Sequence, residues 1–324
     1  METAIRVQDL TKRYSNVLAV DDVSFEVRKG EFFGFLGPNG AGKTTTINIL
    51  TGVAKATSGT ASILGYNLAT EPVKAKEHIG VVPDTSNLYD EMTAWANMIF
   101  CAKLHGMPKE KRENRAKDLL KIVGLHDRRN DRVGTFSRGM KKRMMIAAAL
   151  VHEPEILFLD EPTTGLDVQS AREVRGLIRE LNRRGTTVFL TTHYLEEADV
   201  CCQRIAIIAK GRIIAEDTPE KLKLSTQVEQ AIEVSFDTTG NVADKLNRLS
   251  HVRKVVIAGD KFRLYVDDPS ETLPLIFDFA KENRLKIVSI NTLKPTLEDA
   301  FVKLTGLRPE LMSVEKEQMK PNQG

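Results

Sequence analysis

The sequence has few of the features that mark secreted, membrane-spanning or nucleic-acid-binding proteins. It contains only 3 cysteines, none of them in a C-x-x-C pair, so a disulfide framework is excluded. No stretch approaches the roughly 18 consecutive apolar residues that a transmembrane helix needs. The 47 lysines and arginines exceed the 44 acidic residues by 3 and are not gathered into a basic arm, so no nucleic-acid partner is predicted.

The N-terminal residues also lack a targeting signal. Residues 1–6 contain no cationic segment followed by an apolar run, so secretion is not predicted. The low cysteine content fits a reducing compartment. We therefore expect a cytoplasmic protein, and any role at a membrane is expected to depend on a partner that spans it.

Strand and helix patterns alternate over the first two thirds of the chain. Residues 32–36 form a short apolar run before a glycine-rich loop, and a helix is predicted at 43–51. Further strands are predicted at 23–27, 60–64, 80–82, 155–159, 186–190 and 204–208, and further helices at 92–104, 109–123, 139–151 and 168–183. This order predicts an α/β domain over residues 1–224 with a helical insertion at about 86–151.

A second pattern begins after residue 225. Strands are predicted at 231–236, 252–258, 262–266 and 286–290, and helices at 242–249, 271–282 and 296–304. The first six elements have the βαββαβ order of a ferredoxin-like domain, which is assigned to residues 225–307. Residues 308–324 are polar and lack aromatic side chains, so they are predicted to be disordered.

A phosphate-binding loop is the most specific motif in the sequence. Residues 37–44 match G-x-x-x-x-G-K-[ST] and stand between a predicted strand and a predicted helix, as the motif requires. Successive backbone N–H groups are expected to face the phosphates, Lys43 to meet the β- and γ-phosphate oxygens, and Thr44 to hold Mg²⁺. The nucleotide-binding residues predicted here are Gly37, Pro38, Asn39, Gly40, Ala41, Gly42, Lys43, Thr44 and Thr45.

A strand that ends in two carboxylates is predicted to complete this site. Residues 156–159 are apolar and are followed by Asp160 and Glu161. In a phosphate-loop protein we expect Asp160 to hold Mg²⁺, and Glu161 to act on the attacking water as a general base or as a polarising group. Lys43 and Glu161 are thus predicted catalytic residues.

Further segments resemble the ABC ATPase family and occur in the family's order. Residues 136–141 resemble its signature motif, residues 163–167 its D-loop, and His193 its switch histidine. Tyr14 stands where the family has an aromatic residue that stacks on adenine. The resemblance covers the chain to about residue 224.

The resemblance implies a fold, a cofactor and several site residues. The fold is a P-loop NTPase core with an antiparallel β subdomain and a helical subdomain. The cofactors are ATP and Mg²⁺. A catalytic role is implied for His193, and nucleotide contacts are implied for Tyr14 and Asp167.

Ser137 and Gly139, at the start of a predicted helix, form a second potential phosphate-binding end. Because the chain already has one such end at Lys43, the second is expected to serve the nucleotide of another copy. This predicts a head-to-tail dimer with ATP between the two chains. Arg138 and Met140 depart from the family's usual Gly and Gln, but the two phosphate-facing residues are retained.

Asp84 is a second departure, because it stands where the family has the glutamine of the Q-loop. A carboxylate there strengthens attraction to Mg²⁺ and adds repulsion toward the phosphates, Asp160 and Glu161. We expect Asp84 to belong to the metal site. The alternatives are a repulsive latch that favours the open state and a solvated loop acid.

The C-terminal domain, with residues 294–301 near its end, resembles the extension of drug-resistance and ABC-2 type exporter ATPases. This implies an ATPase that drives a separate multispanning ABC-2 permease and lies on the inner face of the cell membrane through that permease. The permease is expected to dock near the helical insertion, where an apolar and aromatic set of residues follows Asp84. This set is Asn87, Leu88, Tyr89, Met92 and Trp95, and burial in the helical core is its alternative role.

Other phosphate-loop proteins are the rival interpretations. ABC ATPases of translation generally carry two nucleotide domains in one chain, whereas this sequence has one phosphate loop. ABC ATPases of DNA repair carry a long coiled coil between the phosphate loop and the carboxylate strand. Here the interval from Lys43 to Asp160 shows no sustained heptad pattern. Phosphate-loop kinases and GTPases need neither the Ser137-x-Gly139 motif nor a switch histidine.

Overall fold

The computed structural model describes residues 2–224, 230–237, 242–293 and 295–307. The predicted disordered tail at 308–324, and Lys294, lie outside the described residues. Contacts divide the described chain into two units: the first runs to Pro219 and also includes the described residues from Thr305 onward, and the second comprises Glu220–Leu304. The pattern in the sequence instead changes after residue 225. None of the described helices is long and apolar enough to cross a membrane.

The first unit contains two sheets. Its elements are β1 (Thr3–Tyr14), β2 (Val17–Arg28), β3 (Phe32–Leu36), α1 (Lys43–Leu50), β4 (Ser58–Ile63), β5 (Tyr66–Asn67), α2 (Pro72–Glu77), β6 (Ile79–Val82), α3 (Ala94–Leu104), α4 (Lys109–Ile122), α5 (Arg138–Ala149), β7 (Ile156–Asp160), α6 (Val168–Arg183), β8 (Thr187–Thr192), α7 (Leu195–Cys201), β9 (Arg204–Ala209) and β10 (Arg212–Asp217). The six-stranded sheet has the order β10-β9-β3-β8-β7-β6, and the four-stranded antiparallel sheet has the order β2-β1-β4-β5.

An aromatic cluster packs the two sheets together. Phe25 of β2 lies 5.6 Å from Phe33, 5.4 Å from Phe35 and 5.8 Å from Phe189, measured between ring centroids. Phe158 of β7 extends the cluster through Phe189 at 5.4 Å. Strands β3, β7 and β8 are buried along their whole length because the sheet is covered on both faces, which explains their nearly continuous apolar sequences.

The parallel strands carry the predicted motifs to one edge of the six-stranded sheet. Leu36 pairs with Thr192 at the ends of β3 and β8, and Asp160 pairs with Thr191. The phosphate loop, the two carboxylates and the switch histidine follow these strand ends. In open α/β sheets, ligands bind at the carboxyl ends of the strands. The predicted fold class is confirmed, including the antiparallel subdomain that the resemblance implied.

The second unit is one antiparallel sheet covered by helices. It contains α8 (Pro219–Leu224), which begins at the last residue before the boundary, then β11 (Gln230–Phe236), α9 (Val242–Leu246), β12 (Val252–Ala258), β13 (Lys261–Val266), α10 (Pro269–Glu282), β14 (Ile287–Leu293) and α11 (Leu297–Thr305). The strand order is β12-β13-β11-β14. Its apolar core includes Ile232, Leu264, Ile276 and Phe279. The βαββαβ order with this pairing is that of the predicted ferredoxin-like domain.

Glu197 of α7 is a buried acid in the first unit. Its exposed fraction is 2%, and within the described residues neither carboxylate oxygen makes a hydrogen bond of normal geometry. Burial raises the pKa of Glu197 to about 7, although the nearby Thr192 and Thr163 hydroxyls favour the charged form. The folded chain therefore holds a proton on this carboxyl at pH values where an exposed glutamate has lost it.

Glu197→Gln is expected to stabilise the protein above neutral pH. The folded-state pKa is raised from 4.5 to about 7, so the stability contributed by this group is complete below pH 4.5 and is lost as the pH rises to 7. The neutral amide removes that loss, which is on the order of 2–3 kcal/mol. Thermal unfolding of both proteins between pH 5 and pH 8 checks this, with the exposed Glu196→Gln as control. Parallel curves for Glu197→Gln and the wild type would contradict it.

Candidate nucleotide site

Glycines allow the loop between β3 and α1 to close on itself. Gly42, immediately before α1, has a φ of 107°, in the left-handed region that side chains disfavour. A Cβ at Gly42 would lie 2.5 Å from the Ala19 carbonyl oxygen, and one at Gly37 would lie 2.3 Å from the Ile208 carbonyl oxygen. These two positions therefore require glycine, and the loop directs the N-terminus of α1 into the site.

The side chain of Lys43, the first residue of α1, lies inside this loop. Its Nζ donates to the carbonyl oxygens of Gly37 at 2.7 Å and Pro38 at 3.1 Å, and it lies 3.2 Å from Glu161 Oε1. Only 5% of the residue is exposed. The ammonium group is thus fixed at the end of a buried strand with an anion beside it, as expected for a group that contacts phosphate oxygens.

Glu161 is the centre of a hydrogen-bonded chain. Its Oε2 contacts His193 Nδ1 at 2.6 Å and accepts from Thr164 Oγ1 at 3.1 Å, while Oε1 faces Lys43. Burial favours the neutral acid, but the His193 hydrogen bond and the charge of Lys43 outweigh it and lower the pKa of Glu161. The side chain is consequently a carboxylate at neutral pH, able to accept a proton.

Asp160 occupies the end of β7 in a different environment. The Thr191 hydroxyl donates to its Oδ1. Burial raises the pKa of Asp160, an effect that Thr191 and Thr44 oppose. The carboxylate therefore loses hydration on burial, and a cation nearby would stabilise it.

A cleft of 270 Å³ connects these groups. Its lining residues are Val17, Leu18, Ala19, Asn39, Gly40, Gly42, Lys43, Thr44, Thr45, Asp84, Asp160 and Glu161. Asp84 follows β6 and so enters the same cleft as Thr44 and Asp160. Its carbonyl oxygen accepts from Lys142 Nζ at 3.0 Å.

The oxygen atoms of this cleft fit Mg²⁺ held together with a nucleotide. Thr44, Asp160 and Asp84 provide hydroxyl and carboxylate oxygens, which Mg²⁺ prefers. Within the described residues no group of three His, Cys, Asp or Glu side chains could hold a metal by itself. That is the expected arrangement for Mg²⁺, which is bound by one or two carboxylates while phosphates and water complete its coordination.

Within the phosphate loop, the predicted residues Gly37, Pro38 and Ala41 do not line the cleft. Four predicted nucleotide-contacting residues outside that loop do not line it either. Ser137 caps α5 by accepting the Met140 N–H at 3.2 Å, and Asp167 caps α6 by accepting the Ser170 N–H at 2.8 Å. Gly139 packs against Ser170 so closely that a Cβ would lie 2.4 Å from Ser170 Oγ. Ser137 and Asp167 are exposed at the starts of α5 and α6, whereas Gly139 is buried against Ser170.

Tyr14 is the fourth, at the end of β1. It is 44% exposed, and the Lys12 ammonium lies 4.6 Å from its ring centroid. Val17, Leu18 and Ala19 at the start of β2 line the cleft instead. A contact between Tyr14 and adenine stays a prediction.

Several contacting residues were not predicted from the sequence. Thr164 and Thr191 hydrogen-bond the two catalytic-strand carboxylates, and Lys142 contacts the loop of Asp84. Thr164 lies within the D-loop segment and follows Glu161 by three positions, which is a usable signal. Lys142 belongs to a basic run on α5, where nothing in the sequence distinguishes it from its less buried neighbours.

Comparison with known proteins gives consistent matches for both units. Residues 20–164 match the family described as ABC transporter, and residues 218–305 match the family described as ATP-binding protein DrrA1-3-like, C-terminal domain. The linearmycin resistance ATP-binding protein LnrL of Bacillus subtilis is 35% identical over 305 residues, covering 93% of this chain and 98% of that protein.

Two further relatives align over nearly the whole chain. The daunorubicin/doxorubicin resistance ATP-binding protein DrrA of Streptomyces peucetius is 35% identical, with 94% of this chain and 92% of that protein covered. The Nod factor export ATP-binding protein I of Burkholderia lata is 36% identical, with 93% and 97% covered.

A solved structure extends the similarity to a nucleotide complex. A dimeric ATP-binding cassette in a post-hydrolysis state, bound to ADP and Pi, is 28% identical, with a TM-score of 0.61 and coverage of 66% of this chain and 98% of that chain. The cleft around Lys43 and Glu161 has the groups that such chemistry requires. The chain therefore belongs to the ABC transporter family, as an ATP-binding subunit that hydrolyses ATP with Mg²⁺ as cofactor.

Proposed function

We propose that the chain is the ATPase subunit of an ABC-2 type exporter, and that two copies bind two Mg-ATP head to tail to drive a separate membrane permease. The carrying observation is that Ser137, which the sequence predicts to bind phosphate at the start of α5, is exposed outside the cleft of Lys43 and Glu161. The proposal gives the chain two phosphate-binding ends, one in the cleft and one at Ser137 and Gly139. In the proposed head-to-tail dimer, each nucleotide is bound by the cleft of one chain and by the Ser137 end of the other chain.

The similar proteins support this proposal. The ADP- and Pi-bound relative is a dimer, and the Nod factor relative is named as an export protein. Two resistance proteins, LnrL and DrrA, align over both units of the chain, including the C-terminal one. A chain that carries the ATPase and has no spanning helix among its described residues needs a separate permease for transport.

Hydrolysis depends on the contacts that Glu161 makes. Lys43 leaves Glu161 Oε1 when it turns to the phosphate oxygens, which frees that oxygen for a water molecule. Removing the lysine charge also raises the proton affinity of the carboxylate. His193 and Thr164 keep Oε2 in place while Oε1 accepts the proton of the attacking water. Mg²⁺, when bound, neutralises charge on the β- and γ-phosphates.

Glu161→Gln is expected to bind ATP but to lower the hydrolysis rate by at least about 100-fold, because the amide keeps the shape of the side chain and cannot accept a proton. ATP should then hold the dimer closed. Phosphate release and light scattering with Mg-ATP measure the two effects in the full chain.

The double variant Glu161→Gln, Ser137→Arg provides the control for the dimer. Added charge and bulk at Ser137 should prevent closure on the second nucleotide while ATP still binds at Lys43. A double variant that dimerises like Glu161→Gln alone would remove the head-to-tail arrangement, and a normal hydrolysis rate in Glu161→Gln would remove the assignment of its carboxylate.

Asp84 is proposed to support the metal side of the same cleft. It lines the cleft with Thr44 and Asp160, and its carbonyl is held by Lys142. A carboxylate at this place attracts Mg²⁺ directly or through water. A glutamine, as found in the family at the Q-loop, offers only a neutral oxygen.

Asp84→Asn is expected to require about tenfold more Mg²⁺ for half-maximal hydrolysis, because the variant loses a charge next to the metal. The measurement is a Mg²⁺ titration at fixed ATP with the wild type, Asp84→Asn and Asp84→Gln. Coincident curves with equal rates would show that Asp84 has no part in the metal site. An unchanged midpoint with a faster rate would instead support the repulsive latch.

The permease is proposed to dock on the helical insertion near Tyr89. This side chain is 50% exposed and its ring makes an edge contact with Phe100 at 5.1 Å. Its backbone is fixed by Asn97, which accepts the Tyr89 N–H at 3.0 Å and donates to the Tyr89 carbonyl at 3.0 Å. A rigid and half-exposed aromatic side chain is suited to a protein interface.

Tyr89→Ala is expected to lower transport, and ATP hydrolysis stimulated by the permease, while basal hydrolysis by the isolated subunit stays within about twofold of the wild type. Because half of the Tyr89 surface is exposed, truncation to alanine mainly removes area that is available for an interface. Reconstitution with the permease tests this, with the exposed Ile257→Ala of the C-terminal unit as control. Loss of folding in Tyr89→Ala would assign the residue to the core.

Location at the inner membrane face follows from the same proposal, since the permease is the attachment. Capture of the full chain from cells distinguishes the rival functions. Recovery of a multispanning membrane protein supports the exporter, whereas recovery of ribosomes or DNA would favour a translation or repair ATPase.

A further inference from the structure

Lys142 of α5 is a buried ammonium group that no motif in the sequence explains. Its exposed fraction is 5%, and its Nζ donates to the carbonyl oxygens of Pro83 at 3.1 Å and Asp84 at 3.0 Å. A charge in such a place is costly unless hydrogen bonds and opposite charges compensate it. We infer that Lys142 is a positioning residue for ATP hydrolysis, which holds the loop after β6 so that Asp84 lies in the nucleotide cleft.

The hydrogen bonds end on backbone atoms rather than on carboxylates. Lys142 therefore fixes the path of the chain at Pro83 and Asp84 and leaves the Asp84 side chain to face the cleft. The loop needs such a support, because β6 ends at Val82 and no helix begins before Ala94. Two charge-assisted hydrogen bonds from one buried group are a strong constraint on a loop.

The charge of Lys142 also matters to the acids of the site. Burial lowers the pKa of Lys142, and the carboxylates of Asp84, Asp160, Glu161 and Glu197 act against that effect. Lys43 neutralises Glu161 until phosphates attract it. Lys142 lies on another element and contacts carbonyl groups, so it keeps its place when Lys43 exchanges partners.

The position of Lys142 on α5 gives the contact a further consequence. Ser137 begins the same helix, and Lys142 follows it by little more than one turn. A displacement at the start of α5 is therefore transmitted to Asp84 in the cleft of the same chain. If Ser137 contacts a second nucleotide, as the proposed function has it, Lys142 connects the two sites.

Lys74 of α2 offers a control outside the nucleotide site. Its Nζ donates to Glu71 Oε1 at 2.8 Å. The Lys74 side chain is 62% exposed. Exposed ion pairs contribute little, so removing Lys74 should leave hydrolysis unchanged.

The test compares Lys142→Met, Lys142→Gln, Lys142→Arg and Lys74→Met in the full chain. We expect Lys142→Met to lower kcat about tenfold or more with KM for Mg-ATP within about threefold, because the substrate still binds and Asp84 is no longer held. Lys142→Gln should be intermediate, and Lys142→Arg should recover most of the rate. Lys74→Met should match the wild type.

A Mg²⁺ titration separates positioning from a loss of stability. The midpoint shifts caused by Lys142→Gln and Asp84→Asn should be less than additive in the double variant, because both act through one loop. Folded Lys142→Met or Lys142→Gln with the wild-type kcat would overturn the inference, as would a Lys74→Met variant that loses as much activity as Lys142→Met. If Asp84→Asn alone leaves the Mg²⁺ midpoint unchanged, the metal role of Asp84 fails, and the kcat comparison of the two lysines still decides the role of Lys142.

Discussion

The nucleotide site depends on compensating the negative charge of carboxylates that are buried at the ends of parallel strands. Asp160 and Glu161 lose hydration because β7 is covered on both faces by the core, yet one must stay charged for the chemistry. Lys43 supplies a cation from the adjacent loop, and His193 supplies a hydrogen bond from the neighbouring strand end. The aromatic packing of β3, β7 and β8 keeps these strand ends in register, so the core positions the charges.

Much of the fold could be predicted, because the central strands are apolar throughout and their ends carry recognisable motifs. The strand at β1 was not predicted. Its sequence alternates poorly, since Arg6, Asp9 and Lys12 interrupt the apolar residues and the pairing with β2 contains bulges. Tertiary contacts with both β2 and β4 stabilise it, and such contacts are not visible in a local pattern.

Part of the candidate site could likewise be predicted from the sequence, and part of it could not. Lys43, Thr44, Asp160 and Glu161 follow from two short motifs, and the topology of a parallel sheet brings those motifs together. Lys142 reaches a loop 58 positions earlier in the chain, so only the folded structure reveals the contact. Val17 to Ala19 likewise line the cleft from the start of β2, whereas the sequence directed attention to Tyr14.

The pairing of Lys43 with Glu161 has a thermodynamic consequence for nucleotide affinity. An ammonium already bonded to a carboxylate exchanges one anion for another when phosphate enters, so only the difference between the two ion pairs contributes to binding. The phosphate must also displace the lysine from its two carbonyl partners. The site therefore binds nucleotide less tightly than it would if Lys43 did not already pair with Glu161. In return, Glu161 is released to act as a base only when the substrate is present.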